Sequence, residues 1–188
     1  MKDTDGLFEC RKTKLEGCYE IQPIVRRDSR GVFVKTFHVE AFQELGLPVA
    51  FREEYHSVSS RNVLRGLHFQ THPAACAKLV YCVMGKVWDV AVDLRRQSPT
   101  YSQFHFVVLD GEKGNMFFLP EGMAHGFYTM SEEAIMMYGV TKVYDREHDS
   151  GIRWDSIGIP WPCENPVLSE RDQAFLPFSE FETPFHDG

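Results

Sequence analysis

The sequence predicts an all-β chain, a sandwich or closed barrel of many short strands with only a few short helices. Turn residues recur often, and the runs between them are short and rich in Val, Phe, Tyr and Ile, which is strand composition. One run also alternates cleanly. Trp88, Val90, Val92 and Leu94 fall on one side, with Asp89, Ala91 and Asp93 on the other. Many evenly spaced strands with this little helix must stack as two sheets or close on themselves.

In chain order, strands are expected near Gly31–His38, Lys78–Met84, Val87–Leu94, Gln103–Leu109, Asn115–Leu119, Gly126–Met130 and Ala134–Tyr144. Val39–Leu45 reads as a short helix. Gly85-Lys86 suits a two-residue hairpin turn with glycine at its first central position. Beyond Pro160 the prolines multiply and only Glu170–Phe175 reads as helical, so a short helical tail is expected from about residue 160. No repeat or linker divides the chain, and residues 1–188 are expected to form one domain.

At 188 residues the chain can bury a sizeable core without disulfides or metals. Aromatic residues make up 13% and charged residues 25%, which suits a folded protein. The net charge of -7 argues against a nucleic-acid or anionic-membrane surface, while local basic residues can still hold a phosphate. The five cysteines are odd in number and form no CxxC pair, so reduced thiols in a cytoplasmic protein are expected. Residues 1–17 lack the apolar core of a signal peptide, and no run is long enough to span a bilayer.

The chemistry-bearing stretch runs from Gly114 to His125, with the spacing G-x5-P-x-G-x2-H. An apolar strand enters a Pro/Gly turn, and a histidine follows on the next strand, where a barrel could point it inward. This spacing resembles the second signature of the cupin superfamily, which implies a jelly-roll barrel. Metal cupins carry an H-x-H pair followed by a glutamate. Here Gln70 stands where the second histidine would be, two residues after His68, and Lys78 occupies the gap that should hold the acid. His68 and His125 supply only two good ligands, with His72 as a conceivable third, and an ammonium nearby would repel a cation. No metal is expected. Arg65, His68, Lys78 and His125 then remain as an interior set. Cations beside a histidine depress its pKa, neutral imidazole is what a general base needs, and the cations suit a phosphate or a developing oxyanion.

Several motifs in one order resemble the dTDP-4-dehydrorhamnose 3,5-epimerases. They are Asn62-Val-Leu-Arg-Gly-Leu-His-Phe-Gln70, Asp89-Val-Ala-Val-Asp-Leu-Arg95, Ser98-Pro-Thr100, Leu119-Pro-Glu-Gly-Met-Ala-His-Gly-Phe127 and Leu168-Ser-Glu-Arg-Asp172. The resemblance covers about Gly17 to Pro177. It implies a cupin-type jelly-roll homodimer with exchanged N-terminal strands, no cofactor, no metal, and a nucleotide-diphosphate sugar as substrate. It also implies that His68 is the base, Asp172 the carboxylate that orients it, and Tyr138 the acid on the opposite face of the sugar. Ser169-x-x-Asp172 is equally a helix-capping pattern. Arg30, Arg65, Lys78, His125 and Arg171 match substrate contacts, and Tyr144 matches the aromatic that stacks on the base. Lys35, Glu53, Tyr55, Gln70 and Asp149 complete the expected contact set.

The sequence departs from that pattern where substrate contacts are expected. Glu53-Glu-Tyr-His-Ser57 stands for the usual Gln-Asp-Asn-His-Ser, Lys35 for a glutamate, Tyr81 for an arginine, Gly139 for a lysine and Val143 for a tyrosine. These changes alter donors, acceptors and charge while leaving His68, Tyr138 and Asp172 in place. They point to epimerase chemistry kept on another nucleotide sugar, CDP- or GDP-linked, or to inversion at C3 or C5 alone. The rival expectations are a nucleotide-sugar 3,4-ketoisomerase, a metal-dependent cupin enzyme, and a non-catalytic sugar-nucleotide-binding cupin.

Overall fold

A computed structural model describes residues 6–186. Thirteen strands are formed: β1 (Phe8–Lys12), β2 (Tyr19–Pro23), β3 (Val25–Asp28), β4 (Gly31–Val34), β5 (Glu53–Ser60), β6 (Leu64–Gln70), β7 (Lys78–Met84), β8 (Lys86–Asp93), β9 (Phe104–Asp110), β10 (Met116–Leu119), β11 (Met123–Thr129), β12 (Glu133–Val140) and β13 (Asp149–Gly151). Helix α1 spans Val39–Leu45 and α2 spans Glu170–Ala174.

Two antiparallel sheets face each other as a jelly roll. One has the order β1-β2-β10-β7-β12-β5, the other β13-β6-β11-β8-β9, while β3 and β4 pair only with each other. The space between the sheets is filled by Val80, Val87, Ala91, Leu109, Phe117, Phe127 and Met136, all buried. The outer face of each sheet has its own cover. Phe42 and Leu47 of the α1 region pack on Leu79, Met116 and Phe118 of the six-stranded sheet. Ile152, Ile159, Trp161, Phe178, Phe181 and Phe185 pack on Trp88, Val90, Val92 and Leu94 of the five-stranded sheet. Strand β8 is therefore buried on both sides, with the apolar set of its alternation facing the chain's own C-terminal segment.

Helix α1 has the bounds its sequence predicts. His38 caps it by accepting from the Ala41 amide, and Gly46 ends it in the left-handed region at φ 74°. Other elements differ. Gly85 makes no hairpin, because β7 and β8 lie in different sheets. It is a sheet-switching corner at φ 83°, where a side chain would strike the Glu133 carbonyl and Ser131. The expected strand to Tyr144 stops at Val140. Thereafter the chain turns, and its amides are taken by side chains: Tyr144 N–H by Glu53 Oε2 at 2.6 Å, Asp145 N–H by Gln70 Oε1 at 2.7 Å. Strand β4 stops at Val34 and not at His38. The segment beyond Pro160 is mostly extended cover, with a five-residue helix and the short 3-10 turn Phe178–Glu180 as its regular pieces.

Candidate active site

A cavity of about 370 Å³ opens between the sheets. His68 reaches it from β6 of the five-stranded sheet, and Tyr138 from β12 of the six-stranded sheet. The two side chains thus come from opposite walls.

The β6 wall is shaped by a bulge. His68 stands opposite His125, yet Arg65 stands opposite Phe127, so Gly66 and Leu67 together face the single residue Gly126. Strict period-two geometry would send Arg65 and His68 to opposite faces. The extra residue restores Arg65 to the cavity side, where Nε donates to Ser59 Oγ at 2.9 Å. Only glycine fits at 66: φ is 144°, and a Cβ there would lie 2.6 Å from the Gly126 Cα.

Asp172 is delivered from outside the barrel. Residue 167 latches onto the start of β6 through Leu64 N–H to Val167 O and Val167 N–H to Asn62 O. Ser169 then caps α2 by accepting from the Asp172 amide at 3.1 Å. The Asp172 carboxylate takes the Gly66 N–H at 3.2 Å and His68 Nε2 at 2.7 Å. The Asp172 backbone amide thus meets the Ser169 hydroxyl, while both of its carboxylate oxygens are turned to β6. Phe175 follows and packs edge-on against His68, with ring centroids 5.8 Å apart, over the side-chain-free surface of Gly151.

With Asp172 ionised, Nε2 of His68 carries the hydrogen and Nδ1 keeps the lone pair. Burial holds the His68 pKa below the ordinary imidazole value, and Lys78 and Arg171 push the same way against the pull of Asp172. Burial alone would raise Asp172, but His68, the Gly66 amide and Ser169 outweigh it and hold the carboxyl below its usual range. Burial lifts Tyr138 well above the ordinary phenol value, partly offset by Ser57, whose hydroxyl lies 3.3 Å from its own. The site therefore pairs a neutral imidazole with a protonated phenol at neutral pH.

Lys78 and His125 also reach the cavity. Lys78 Nζ approaches the His68 carbonyl at 3.4 Å, and burial lowers its pKa. His125 Nε2 is held by both oxygens of the fully buried Asp89, at 2.9 and 3.0 Å. Burial pushes the Asp89 carboxyl up and His125 pulls it back. Each histidine thus has a carboxylate partner of its own. His72 lies outside the cavity beside Glu121, and among the described residues no three His, Cys, Asp or Glu side chains converge as a metal-ligand group.

Of the expected contacts, Glu53, Tyr55, Arg65, Gln70, Lys78, His125, Tyr144, Asp149 and Arg171 line the cavity. Several are engaged within the chain. The Gln70 amide holds the backbone at Ala74, Val143 and Asp145. Asp149 bridges Arg171 at 2.7 Å and the Tyr144 hydroxyl at 3.2 Å. Arg30 and Lys35 do not reach the cavity of their own chain. Arg30 sits at the tip of the β3–β4 hairpin, paired with Asp28 at 2.6 Å, and Lys35 is exposed just beyond β4. The departures in sequence are likewise less concentrated than expected. Glu53 and Tyr55 face the cavity, but Tyr81 packs beside the α1 cover, Val143 points to solvent, and Gly139 abuts the Phe51 ring on the outer face.

Sequence reasoning assigned no role to Asp89, Ser57, Lys142 or Cys76, of which Asp89 backs His125 and the others line the cavity. Asp89 carried a usable signal, an acid on the inward phase of the alternating strand. Ser57 carried none, because its strand β5 lacks an apolar alternation.

Comparison with known proteins agrees with this architecture. The family model for dTDP-4-dehydrorhamnose 3,5-epimerase matches residues 12–180. A dTDP-4-dehydrorhamnose 3,5-epimerase of Methanothermobacter thermautotrophicus is 46% identical over 178 residues, covering 92% of this chain and 96% of the relative. A dTDP-4-dehydrorhamnose 3-epimerase of Streptomyces niveus is 41% identical, covering 90% and 84%. The solved Legionella pneumophila dTDP-6-deoxy-D-glucose-3,5-epimerase, in complex with dTDP-4-keto-L-rhamnose, superposes with a TM-score of 0.90 at 34% identity, covering 95% and 97%. A cupin barrel with this wall-to-wall pairing of imidazole and phenol, matched along nearly its whole length, belongs to the dTDP-4-dehydrorhamnose 3,5-epimerase family.

Proposed function

We propose that this protein inverts C3, C5 or both in a nucleotide-linked 4-keto-6-deoxy sugar, within deoxysugar biosynthesis. The observation that carries the proposal is the pairing across one cavity of a carboxylate-held, neutral His68 and a protonated Tyr138. A C–H bond beside a ketone is weakly acidic. His68 Nδ1 takes that proton, and the electron pair moves onto the C4 oxygen as an enolate. Tyr138 returns its own proton to the opposite face of the carbon, and solvent restores both residues. General base action supplies about 10²–10⁴-fold. Enolate stabilisation must add to that, at about 10²–10³ per well-placed donor, and Arg65 and Lys78 are among the cationic donors lining the cavity.

The active form is a cytoplasmic homodimer in this proposal. The β3–β4 hairpin pairs only with itself and leaves Val32 and Phe33 53% and 61% exposed. Reaching a second copy, it would bring Arg30 and Lys35 to the partner's cavity mouth. The diphosphate would lie among Arg65, Lys142 and Arg171, and the base against Tyr144. The sugar nucleotide is dTDP-linked in the named relatives, while Glu53 and Tyr55 leave CDP- or GDP-linked analogues open to selection.

The test is incubation with dTDP-, CDP- and GDP-linked 4-keto-6-deoxy sugars in D₂O, with NMR assignment of the carbons that exchange and invert. Exchange at a carbon flanking the ketone, with inversion, is expected, and its loss in His68→Ala. Robust exchange by His68→Ala would remove the base. Carbonyl migration in place of inversion would make the protein a ketoisomerase.

A further inference from the structure

The departure at position 55 has a physical consequence in the cavity. Tyr55 on β5 is the direct cross-strand partner of Tyr138 on β12. Their rings are stacked, with centroids 4.7 Å apart and planes within 14°. The opposite sides of Tyr138 are also occupied. His125 meets it edge-on at 6.1 Å, and Ser57 holds the hydroxyl end at 3.3 Å. Tyr138 is only 6% exposed while Tyr55 is 41% exposed, so Tyr55 is the lid of this stack. Burial, with Cys76, Glu53 and Asp149 nearby, pushes its own phenol up to about 12. An amide at position 55, which the motif otherwise carries, could offer a hydrogen bond but no flat apolar face of this area.

We propose that Tyr55 is a positioning residue that fixes the Tyr138 ring by stacking, and thereby sets how often a carbon deprotonated by His68 is reprotonated with inversion. This rests on the epimerase reading above. The enolate has two fates. Tyr138 can deliver a proton to the far face, which inverts the carbon. Alternatively the protonated His68, after exchanging with solvent, can return a deuteron to the near face, which exchanges the carbon without inverting it. Atoms and charge balance on either route, since the enolate electron pair forms the new C–H or C–D bond. Only the first route needs the phenol held at a fixed height over the carbon. A ring free to swing about its Cβ would spend part of each enolate lifetime out of reach, and the partition would shift towards the near face.

An aromatic pair adds about 0.5–1.5 kcal/mol beyond its area burial, so Tyr55→Ala should lower the ratio of inversion to exchange by about 2- to 12-fold. Tyr55→Phe keeps the ring and should keep the ratio. The measurement is single-turnover NMR in D₂O, which reads deuterium content and configuration at the same carbon. Melting curves check that each variant is folded. A general loss of structure would slow exchange and inversion together, whereas a loss of positioning splits them. The proposal is overturned if folded Tyr55→Ala keeps the wild-type ratio, or if Tyr55→Phe loses it as fully as Tyr55→Ala. Wild-type protein that exchanges no flanking carbon of any 4-keto sugar would instead defeat the epimerase reading itself, so the two failures are distinct.

Discussion

Replacing Asp172 with asparagine should disable the site more thoroughly than deleting the side chain. Asp172 uses both oxygens, one on the Gly66 N–H at 3.2 Å and one on His68 Nε2 at 2.7 Å. Asparagine has only one. The buried Gly66 amide needs an acceptor, because leaving it unpaired costs about 1–3 kcal/mol, so the asparagine oxygen stays there and its NH₂ turns to the imidazole. Nε2 must then accept, which moves the ring hydrogen to Nδ1, the nitrogen that should receive the substrate proton. A protonated nitrogen cannot act as base, and the loss should approach the whole of general base catalysis, about 10²–10⁴-fold. Asp172→Ala removes the counter-charge but leaves the tautomer free, so its loss should be smaller. The assay is the initial rate of deuterium incorporation beside the ketone, with melting curves to show that the Ser169 cap, which uses the backbone amide, still holds. Asparagine activity within about threefold of wild type, read as a ratio of kcat/KM, would refute the reasoning, as would alanine falling clearly below asparagine.

Because burial disfavours the His68 imidazolium, the acid limb of kcat/KM should have its midpoint below the ordinary value of about 6.5, with activity rising as pH rises through it; a pH–rate profile with a midpoint above that value contradicts the assignment. Gly66→Ala forces a side chain into the Gly126 backbone at φ 144° and should cost about 1–3 kcal/mol or more in urea unfolding, with exchange activity lost alongside. Asp93 is fully buried; burial would raise its pKa, but bonds from Arg95, Ser98 and Thr100 hold it low. Asp93→Ala should therefore destabilise by about 3–5 kcal/mol. This stabilisation is present above the unfolded carboxylate pKa and lost as pH falls through the folded one, so the variant should show a flatter acid limb in its unfolding free energy.

The parts of the fold legible in the sequence are those where one physical signal dominates. Strand β8 and helix α1 announce themselves through apolar period and caps. Strand β5 was silent, because it is an edge strand with one face towards solvent and the other towards a polar cavity, so Glu53-Glu-Tyr-His-Ser57 shows no hydrophobic alternation. Strands β1 to β3 are four or five residues long and largely polar, too short to show a period. Gly85 illustrates a different limit: a glycine at positive φ says that the chain turns sharply, but not whether it returns to the same sheet. Within the site, His68, Tyr138 and Asp172 were legible through motif resemblance. The bulge that brings Arg65 in beside His68 was not, although a glycine inside a strand is its usual mark. The engagement of Gln70 and Asp149 with the chain's own backbone and side chains depends on where a loop lands, which local sequence does not encode.

The imidazole and its carboxylate partner are 104 residues apart, and the carboxylate arrives on the wrapping that closes over the finished barrel. During synthesis the nascent chain can complete both sheets before the carboxylate that orients His68 arrives. In the proposed mechanism, proton abstraction should reach its full rate only once the stretch that carries Asp172 has docked on β6. The same order runs backwards under stress. Peeling of that outer layer, by mild heat or a protease, should silence turnover while the sheets are still intact, so that activity reports on the integrity of the wrapping before any spectroscopic sign of barrel unfolding.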